Sequence, residues 1–179
     1  MTKPNNIRIL VISILCAISL LLGGCTDSSP SPSPGEDFSI TMPSGSGLAV
    51  HFIDVGQGDS ILAESDGHYM LIDAGENDQA GTVVSYLKAE GVTKLDYVIG
   101  THPHSDHIGG LDKVIDTFPV DKVLLPPVEH TTRTFEDVLD SIASRGLKIT
   151  KPAPGDSYDL GNASFTILSP VKDLSLLNI

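Results

Sequence analysis

The sequence predicts an α/β fold in which helices cover a mixed β-sheet. Two observations lead to this prediction. An antiparallel hairpin pattern opens the domain near residue 48, and apolar runs typical of strands then alternate with apolar stripes of helical period. A length of 179 residues with 40% hydrophobic residues suffices for one core of ordinary size. We therefore expect one α/β domain over residues 48–179.

The first predicted elements are strands. "LAVHFIDVGQGDSILAES" indicates two strand pieces around a Gly-rich turn at Gly56-Gln57-Gly58, and "DGH" then returns the chain into "YMLIDAG". "TVVSYLKAEG" is typical of a helix that Gly91 closes. "LDYVIGT" predicts a buried strand that leads directly to His102.

The following region predicts two helices and two strands. An apolar stripe recurs at i, i+3, i+4 and i+7 over residues 111–118, which indicates a helix that Pro119 ends. "DKVLLP" predicts a short strand. The next helix is expected to begin at Thr134, whose spacing to Asp137 fits a capping box, and to stop at Gly146. "ASFTILSP" predicts a last strand.

Residues 1–25 predict a lipoprotein signal peptide with a lipobox. Lys3 and Arg8 precede an apolar segment at 9–22, which is shorter than the roughly 20 residues of a membrane span. Leu22-Gly23-Gly24-Cys25 resembles a bacterial lipobox, in which the cysteine is lipidated and becomes the new N-terminus. We therefore expect an extracytoplasmic domain anchored to the bacterial membrane through Cys25. The alternative is an uncleaved anchor helix with an incidental cysteine.

Residues 26–47 predict a Ser/Pro-rich linker, since "TDSSPSPSPGED" offers no apolar surface to bury. Two of the 11 basic residues precede Cys25, so the mature chain has nine basic and 23 acidic residues, a net charge of −14. This charge opposes the phosphate attraction on which most nucleic-acid binding depends. We expect no stable nucleic-acid complex.

The stretch "THPHSDHIGG" places four candidate ligands between a predicted strand and a predicted helix. His102 and His104 are two residues apart, so in an extended loop both imidazoles can bind one metal ion. Asp106 and His107 turn with the start of the helix and can reach a second ion. Imidazole and carboxylate ligands without thiolate suit two divalent ions, Zn²⁺ first and Mn²⁺ as an alternative.

Several other residues have simpler interpretations. Gly109 and Gly110 let the backbone pack closely beneath the cluster, because they carry no side chain. His51, His68 and His130 are interpreted as polar surface residues.

The motif "HPHSDH" matches the His-x-His-x-Asp-His signature of the metallo-β-lactamase fold superfamily. The flanks "HFIDVGQGDSILAES", "LIDAGE" and "YLKAEGVTKLDYVIGTHPHSDHIGGLD" resemble its ComEC-type, competence-protein-like branch. The resemblance covers roughly residues 50–170. It implies an αββα sandwich that acts as a metallo-hydrolase, with a hydroxide bridging two metal ions as the nucleophile.

The resemblance also implies roles for the ligands. His102 and His104 would bind the first ion, and Asp106 and His107 the second. Asp106 is in addition the candidate for orienting the hydroxide or receiving a proton.

Three further aspartates enter through the same resemblance. Asp73 in "LIDAG" resembles a buried aspartate that braces the histidine loop through hydrogen bonds. Its alternative is a turn residue beside Gly75. Asp54 and Asp59 would lie near the cleft, and both also suit ordinary turns.

The family pattern continues with an aspartate and a histidine motif that do not follow His107 here. The final "LSLLNI" resembles the start of a stretch that precedes the second half of the sandwich. We therefore expect a C-terminally truncated chain that holds only the N-terminal half of the sandwich.

Two functions remain open at this point. The first is a metal-dependent hydrolase of phosphodiester or other small ester substrates, with DNA among the candidates. Because ligands are missing, we expect this chain to be weakly active or inactive and its full-length parent to be the hydrolase. The alternative is a non-catalytic surface lipoprotein that binds metal or a partner.

Overall fold

A computed structural model of the chain describes residues 47–169. The predicted signal peptide with Cys25, the predicted linker except Gly47, and the stretch from Pro170 onward lie outside the described residues. The domain boundaries at residues 25 and 47 therefore stay predictions. Between residues 47 and 169, no helix has both the length and the apolar character needed to cross a membrane.

The centre of the structure is a six-stranded mixed sheet in the order β1-β2-β3-β4-β5-β6. The first three strands are antiparallel neighbours, and β3 to β6 run parallel. This arrangement confirms the predicted α/β class with its opening hairpin. The strands of this sheet are β1 Leu48–Phe52, β2 Ile61–Ser65, β3 His68–Ile72, β4 Leu95–Ile99, β5 Val120–Leu124 and β6 Ile149–Thr150.

Helices pack against one face of this sheet. They are α1 Ala80–Ala89, α2 Ser105–Ile108, α3 Leu111–Thr117 and α4 Arg133–Ser144, with a short 3-10 helix at Asn77–Gln79 before α1. The stripe predicted over residues 111–118 lies in the core, since its apolar members are at most 4% exposed. Alternate strand residues meet the helices there, among them Leu62, Leu71, Val98 and Val123. The predicted helices and strands therefore form one continuous core.

The start of α4 differs from the prediction. Thr134 was expected to begin the helix, but the N-cap is Thr132, whose Oγ1 accepts a hydrogen bond from the backbone N–H of Phe135 at 3.4 Å. Thr134 instead donates its hydroxyl to Asn77 Oδ1 at 3.0 Å. Asp137 pairs with Arg133 one turn earlier and forms no capping box. Either threonine could cap the helix by its sequence position. Thr134 is bound to Asn77, so Thr132 forms the cap.

A separate two-stranded hairpin lies on the other face of the sheet. It pairs β7 Ser157–Leu160 with β8 Ala163–Thr166, so the predicted last strand joins a partner that the sequence pattern does not predict. Leu160 is 2% exposed and packs with Ala63 and Met70 of the sheet. Phe165 meets the ring of Tyr97 edge-on, with centroids 5.1 Å apart.

Part of that same face is uncovered at the sheet edge. Leu48, Val50 and Phe52 alternate along β1 and are 57%, 47% and 79% exposed. Val50 pairs with Ala63, which lies beneath the hairpin, so these apolar side chains continue the covered face. A sheet with one face open is the arrangement expected for one half of a sandwich.

Candidate metal centre

The candidate centre lies at one edge of the sheet, where parallel strands end. β3 and β4 pair in parallel with Ile72 opposite Ile99, so the loops that follow them begin side by side. The backbone N–H of Asp73 donates to Ile99 O at 2.8 Å and joins the two loop starts. Ligand sites in parallel sheets commonly lie at this end of the strands.

Asp73 braces the histidine loop from beneath. Its side chain is 1% exposed, and its Oδ1 accepts a hydrogen bond from the backbone N–H of Thr101 at 2.8 Å. Oδ2 accepts from Thr101 Oγ1 at 2.6 Å and faces His107 Nδ1 at 3.0 Å. The residue has φ +56°, a left-handed conformation that aspartate tolerates better than most residues. These contacts place Asp73 where the resemblance expects it.

Three of the predicted ligands come together on the loop and on α2. The ligating atoms of His102, His104 and Asp106 all lie within 4.8 Å of one another. The ring of His102 lies 4.8 Å from the ring of His104 and 3.9 Å from that of His107, centroid to centroid. Such a group of two imidazoles and one carboxylate is a donor set that fits Zn²⁺.

The fourth predicted ligand, His107, directs its Nε2 atom toward the same cluster. Because Nδ1 of His107 is engaged by Asp73, its Nε2 is the nitrogen that faces the cluster, 3.7 Å from Asp106 Oδ2. Asp106 thus lies beside His107, and the ring of His107 also packs directly against that of His102. The division of the four side chains between two ions stays a prediction.

Asp59 forms a second acidic group with Asp73 and His107. Its Oδ2 lies 3.6 Å from His107 Nδ1, and its side chain is 65% exposed. We interpret this group as bracing, not metal binding, because His107 Nδ1 and both Asp73 oxygens already form hydrogen bonds. Asp54 lies outside both groups, and its Oδ1 accepts from Gly56 N–H at 3.0 Å, as expected of a turn aspartate.

Close backbone packing fixes the position of α2. Gly58 has φ +90°, and a Cβ at this position would collide with the carbonyl oxygen of Asp106. The neighbouring Asp59 donates its backbone N–H to that same oxygen at 3.3 Å. A Cβ on Gly110 would lie 2.5 Å from Ala74 O, and one on Gly109 would collide with Asn77 N. The predicted tight packing beneath the cluster is therefore confirmed.

The electrostatics of the cluster favour the metal-binding form of histidine. Burial lowers the pKa of His102, and the adjacent His107 and His104 lower it further. His102 is therefore neutral at neutral pH, and neutral imidazole is the form that ligates metals. Thr101 Oγ1 contacts its Nδ1 at 3.1 Å, which leaves Nε2 as its outward nitrogen.

His130 lies beside the cluster, contrary to the prediction of an ordinary surface residue. Its half-buried ring is 6.0 Å from the ring of His104, centroid to centroid. The order of the strands could have indicated this position. The loop of residues 125–132 follows β5, and the end of β5 lies beside that of β4, where Gly100 N–H donates to Leu124 O at 3.0 Å. The spacing of His130 and His104 in the sequence does not show that they lie close together.

Two more contacts of the centre are absent from the prediction, and two histidines lie apart from it. Thr101 binds both oxygens of Asp73, and Glu76 Oε1 accepts a hydrogen bond from Ser105 Oγ at 3.1 Å.

His68 is exposed and contacts Asp96, as expected of a surface residue. His51 is more buried than predicted, with Nδ1 2.9 Å from the hydroxyl of Tyr86.

Comparison with known proteins yields a family match and curated relatives. The model of the metallo-beta-lactamase superfamily matches residues 53–170. ComE operon protein 3 of Bacillus subtilis (strain 168) is 27% identical over 139 residues, which are 68% of this chain and 18% of that protein. Hydroxyacylglutathione hydrolase of Aliivibrio salmonicida (strain LFI1238) is 31% identical over 108 residues, which are 60% of this chain and 36% of that protein.

Solved structures share the fold. A metallo-beta-lactamase with a HARLDQ motif from Cronobacter sakazakii superposes with a TM-score of 0.51 at 16% identity. The superposition covers 66% of this chain and 49% of that one. The chain thus spans about half the length of this structure, and the described residues form part of the metallo-beta-lactamase fold.

Proposed function

We propose, because this chain belongs to the metallo-beta-lactamase superfamily, that it is a metal-dependent hydrolase of phosphodiester or other small ester bonds. The observation that carries the proposal is the convergence of His102, His104 and Asp106 within 4.8 Å. His107 joins them, held in place by Asp73. Sites with this donor set take divalent ions, Zn²⁺ first and Mn²⁺ as an alternative.

The residues of the chain divide the chemical work. Two divalent ions, when bound, would supply Lewis acidity and lower the pKa of bound water. Asp73 accepts the Nδ1 proton of His107, so the lone pair of Nε2 points into the centre. Asp106, in the first turn of α2, offers a carboxylate that can accept a proton from an attacking water.

The substrate class rests on similarity and charge. One relative is by its name a hydrolase of hydroxyacylglutathione, which is consistent with an ester-like substrate. The resemblance of the motifs to the ComEC-type branch favours a phosphodiester. The net charge of −14 in the predicted mature chain disfavours tight binding of long DNA, so we propose a small phosphodiester.

Hydrolysis of bis(4-nitrophenyl) phosphate tests the proposal. We expect slow turnover that requires added Zn²⁺ or Mn²⁺ and disappears with EDTA and in a His102→Ala/His104→Ala variant. Turnover is expected to be slow because the described residues offer a second ion only Asp106 and His107, fewer than the three ligands typical of catalytic zinc. His68→Ala is the matched control.

Two results would count against this function. Turnover that persists in EDTA or in the double variant would contradict a metal-dependent mechanism. Metal uptake without any turnover, also in a longer chain that contains the second half of the sandwich, would favour the alternative, a non-catalytic lipoprotein that binds metal or a partner.

We also propose that the protein is extracytoplasmic and anchored through a lipid on Cys25. The lipobox-like Leu22-Gly23-Gly24-Cys25 and the apolar segment before it support this. In a bacterial host, the full chain should take up radioactive palmitate and sediment with membranes, whereas Cys25→Ser should lose the label. Equal labelling of both proteins would contradict the anchor.

A further inference from the structure

His130 has a defined place outside the ligand cluster. It belongs to the loop of residues 125–132 at the carboxyl end of β5, and its ring centroid lies 6.0 Å from that of His104 with the planes at 64°. Its nitrogens are absent from the two groups of candidate ligands formed within residues 47–169. His130 is therefore a neighbour of the centre on the side of His104 and not one of its ligands.

The ring of His130 is held by α4. Its Nδ1 lies 2.9 Å from Thr132 Oγ1, and its edge packs on Phe135 with centroids 6.4 Å apart. Thr132 Oγ1 already accepts the backbone N–H of Phe135, so its own hydrogen is available to Nδ1. When Thr132 donates, neutral His130 carries its proton on Nε2.

The Nε2 atom has no partner of its own among the described residues, whose hydrogen bonds to His130 involve only Nδ1. Two further hydrogen bonds connect the start of α4 with the histidine loop. Thr134 donates to Asn77, and the neighbouring Glu76 accepts from Ser105 of the histidine loop. With its proton on Nε2, His130 therefore presents a hydrogen-bond donor beside the candidate ligands.

A groove makes this donor accessible. His130 lines a cavity of about 450 Å³ with mainly apolar walls, which include Pro126, Val128, Leu139 and Ile149. His130 connects this groove with the centre, because its ring lines the groove and lies 6.0 Å from the ring of His104, centroid to centroid. Glu129 and Lys151 also line the groove, and its mainly apolar walls suit the substituent of an ester.

We propose that His130 is a substrate-positioning residue, which donates a hydrogen bond from Nε2 to an anionic oxygen of the ester held at the centre. This inference rests on the proposed function. Because the acceptor is charged, the bond belongs to the stronger class of hydrogen bonds. Thr132 assists by fixing the tautomer.

Binding of inorganic phosphate to the zinc-loaded full chain tests the role of His130, with calorimetry for affinity and mass spectrometry for zinc. His130→Phe should keep the wild-type zinc content and bind phosphate about tenfold or more weakly, since it loses one charge-assisted hydrogen bond. His130→Gln, whose side-chain amide carries a donor at about the place of Nε2, should stay near wild type. His68→Phe serves as the control for loss of a surface histidine.

Nitrogen NMR of the side chain supplies a readout independent of turnover. We expect the proton of His130 on Nε2, a shift of that nitrogen on addition of phosphate, and retention of the tautomer in Thr132→Ser. A proton on Nδ1 would overturn the assignment.

Other outcomes separate this inference from the proposed function. Loss of zinc in His130→Phe alone would make His130 a ligand and overturn the positioning role. Equal phosphate affinity of wild type and His130→Phe, both loaded with zinc, would refute this inference alone. Absence of zinc from the wild type would refute the proposed function and this inference with it.

Discussion

Replacing Asp73 by alanine is expected to lower the free energy of unfolding by about 3 kcal/mol and to abolish the metal centre. Asp73 is 1% exposed, and its carboxylate accepts two hydrogen bonds from Thr101 and one from His107, so its removal leaves these part-buried donors without acceptors. Alanine at φ +56° adds strain, because its Cβ disfavours the left-handed region. Urea denaturation and zinc titration would measure the two effects.

A conservative change separates bracing from folding. Asp73→Asn retains the shape and tolerates the left-handed backbone, yet its one amide oxygen replaces only one of the two carboxylate oxygens. At least one of the three hydrogen bonds from Thr101 and His107 is therefore lost, and we expect zinc affinity about 10- to 100-fold weaker. Asp54→Ala, at an exposed turn, is the matched control and should change zinc affinity little. Wild-type affinity in Asp73→Asn would show that the brace has no part in metal binding.

Gly58→Ala should have the second large effect, a loss of about 2–4 kcal/mol in the free energy of unfolding together with weaker zinc binding. The new Cβ would collide with the carbonyl oxygen of Asp106, which is backbone and cannot rotate away. The strand turn and α2 must then separate, and Asp106 moves with α2. Thermal unfolding and zinc titration of the variant would measure the effect.

The same turn offers a matched control. Gly56 also has a positive φ, +72°, but a Cβ there meets nothing within 4 Å. Gly56→Ala therefore carries only the backbone strain, about 1 kcal/mol, and should keep wild-type zinc affinity. If the two variants were equally destabilised, strain alone would account for Gly58 and the contact with Asp106 would have no energetic role.

Periodic patterns explain why most of the fold could be predicted. α1, α3 and α4 carry apolar residues at helical spacing, and those residues are buried in the core. β1 to β5 are short runs that contain several apolar residues each. β6 and β7 escape prediction because a two-residue strand and a short hairpin strand carry too few residues to show such a pattern. The start of α4 fails for another reason, since Thr132 and Thr134 are both acceptable caps and a contact with Asn77 decides between them.

Some residues of the candidate centre could likewise be predicted from the sequence and others could not. His102, His104, Asp106 and His107 are neighbours in sequence, so the motif and a strand end suffice to group them. His130 joins them only because β4 and β5 are adjacent parallel strands, which fixes a contact over a long stretch of chain. The role of Asp73 is visible in sequence through resemblance, while its bonds to Thr101 and His107 depend on the pairing of β3 with β4.

Zinc and manganese content, measured by native mass spectrometry on purified wild type and on the His102→Ala/His104→Ala variant, tests whether the histidine loop is a metal centre. We expect up to two divalent ions per wild-type chain, the first held more tightly, and none at the cluster in the variant, because two of the three converging ligands are gone. Wild type without metal at micromolar free zinc, or a variant that binds as much as wild type, would contradict a metal centre at this histidine loop.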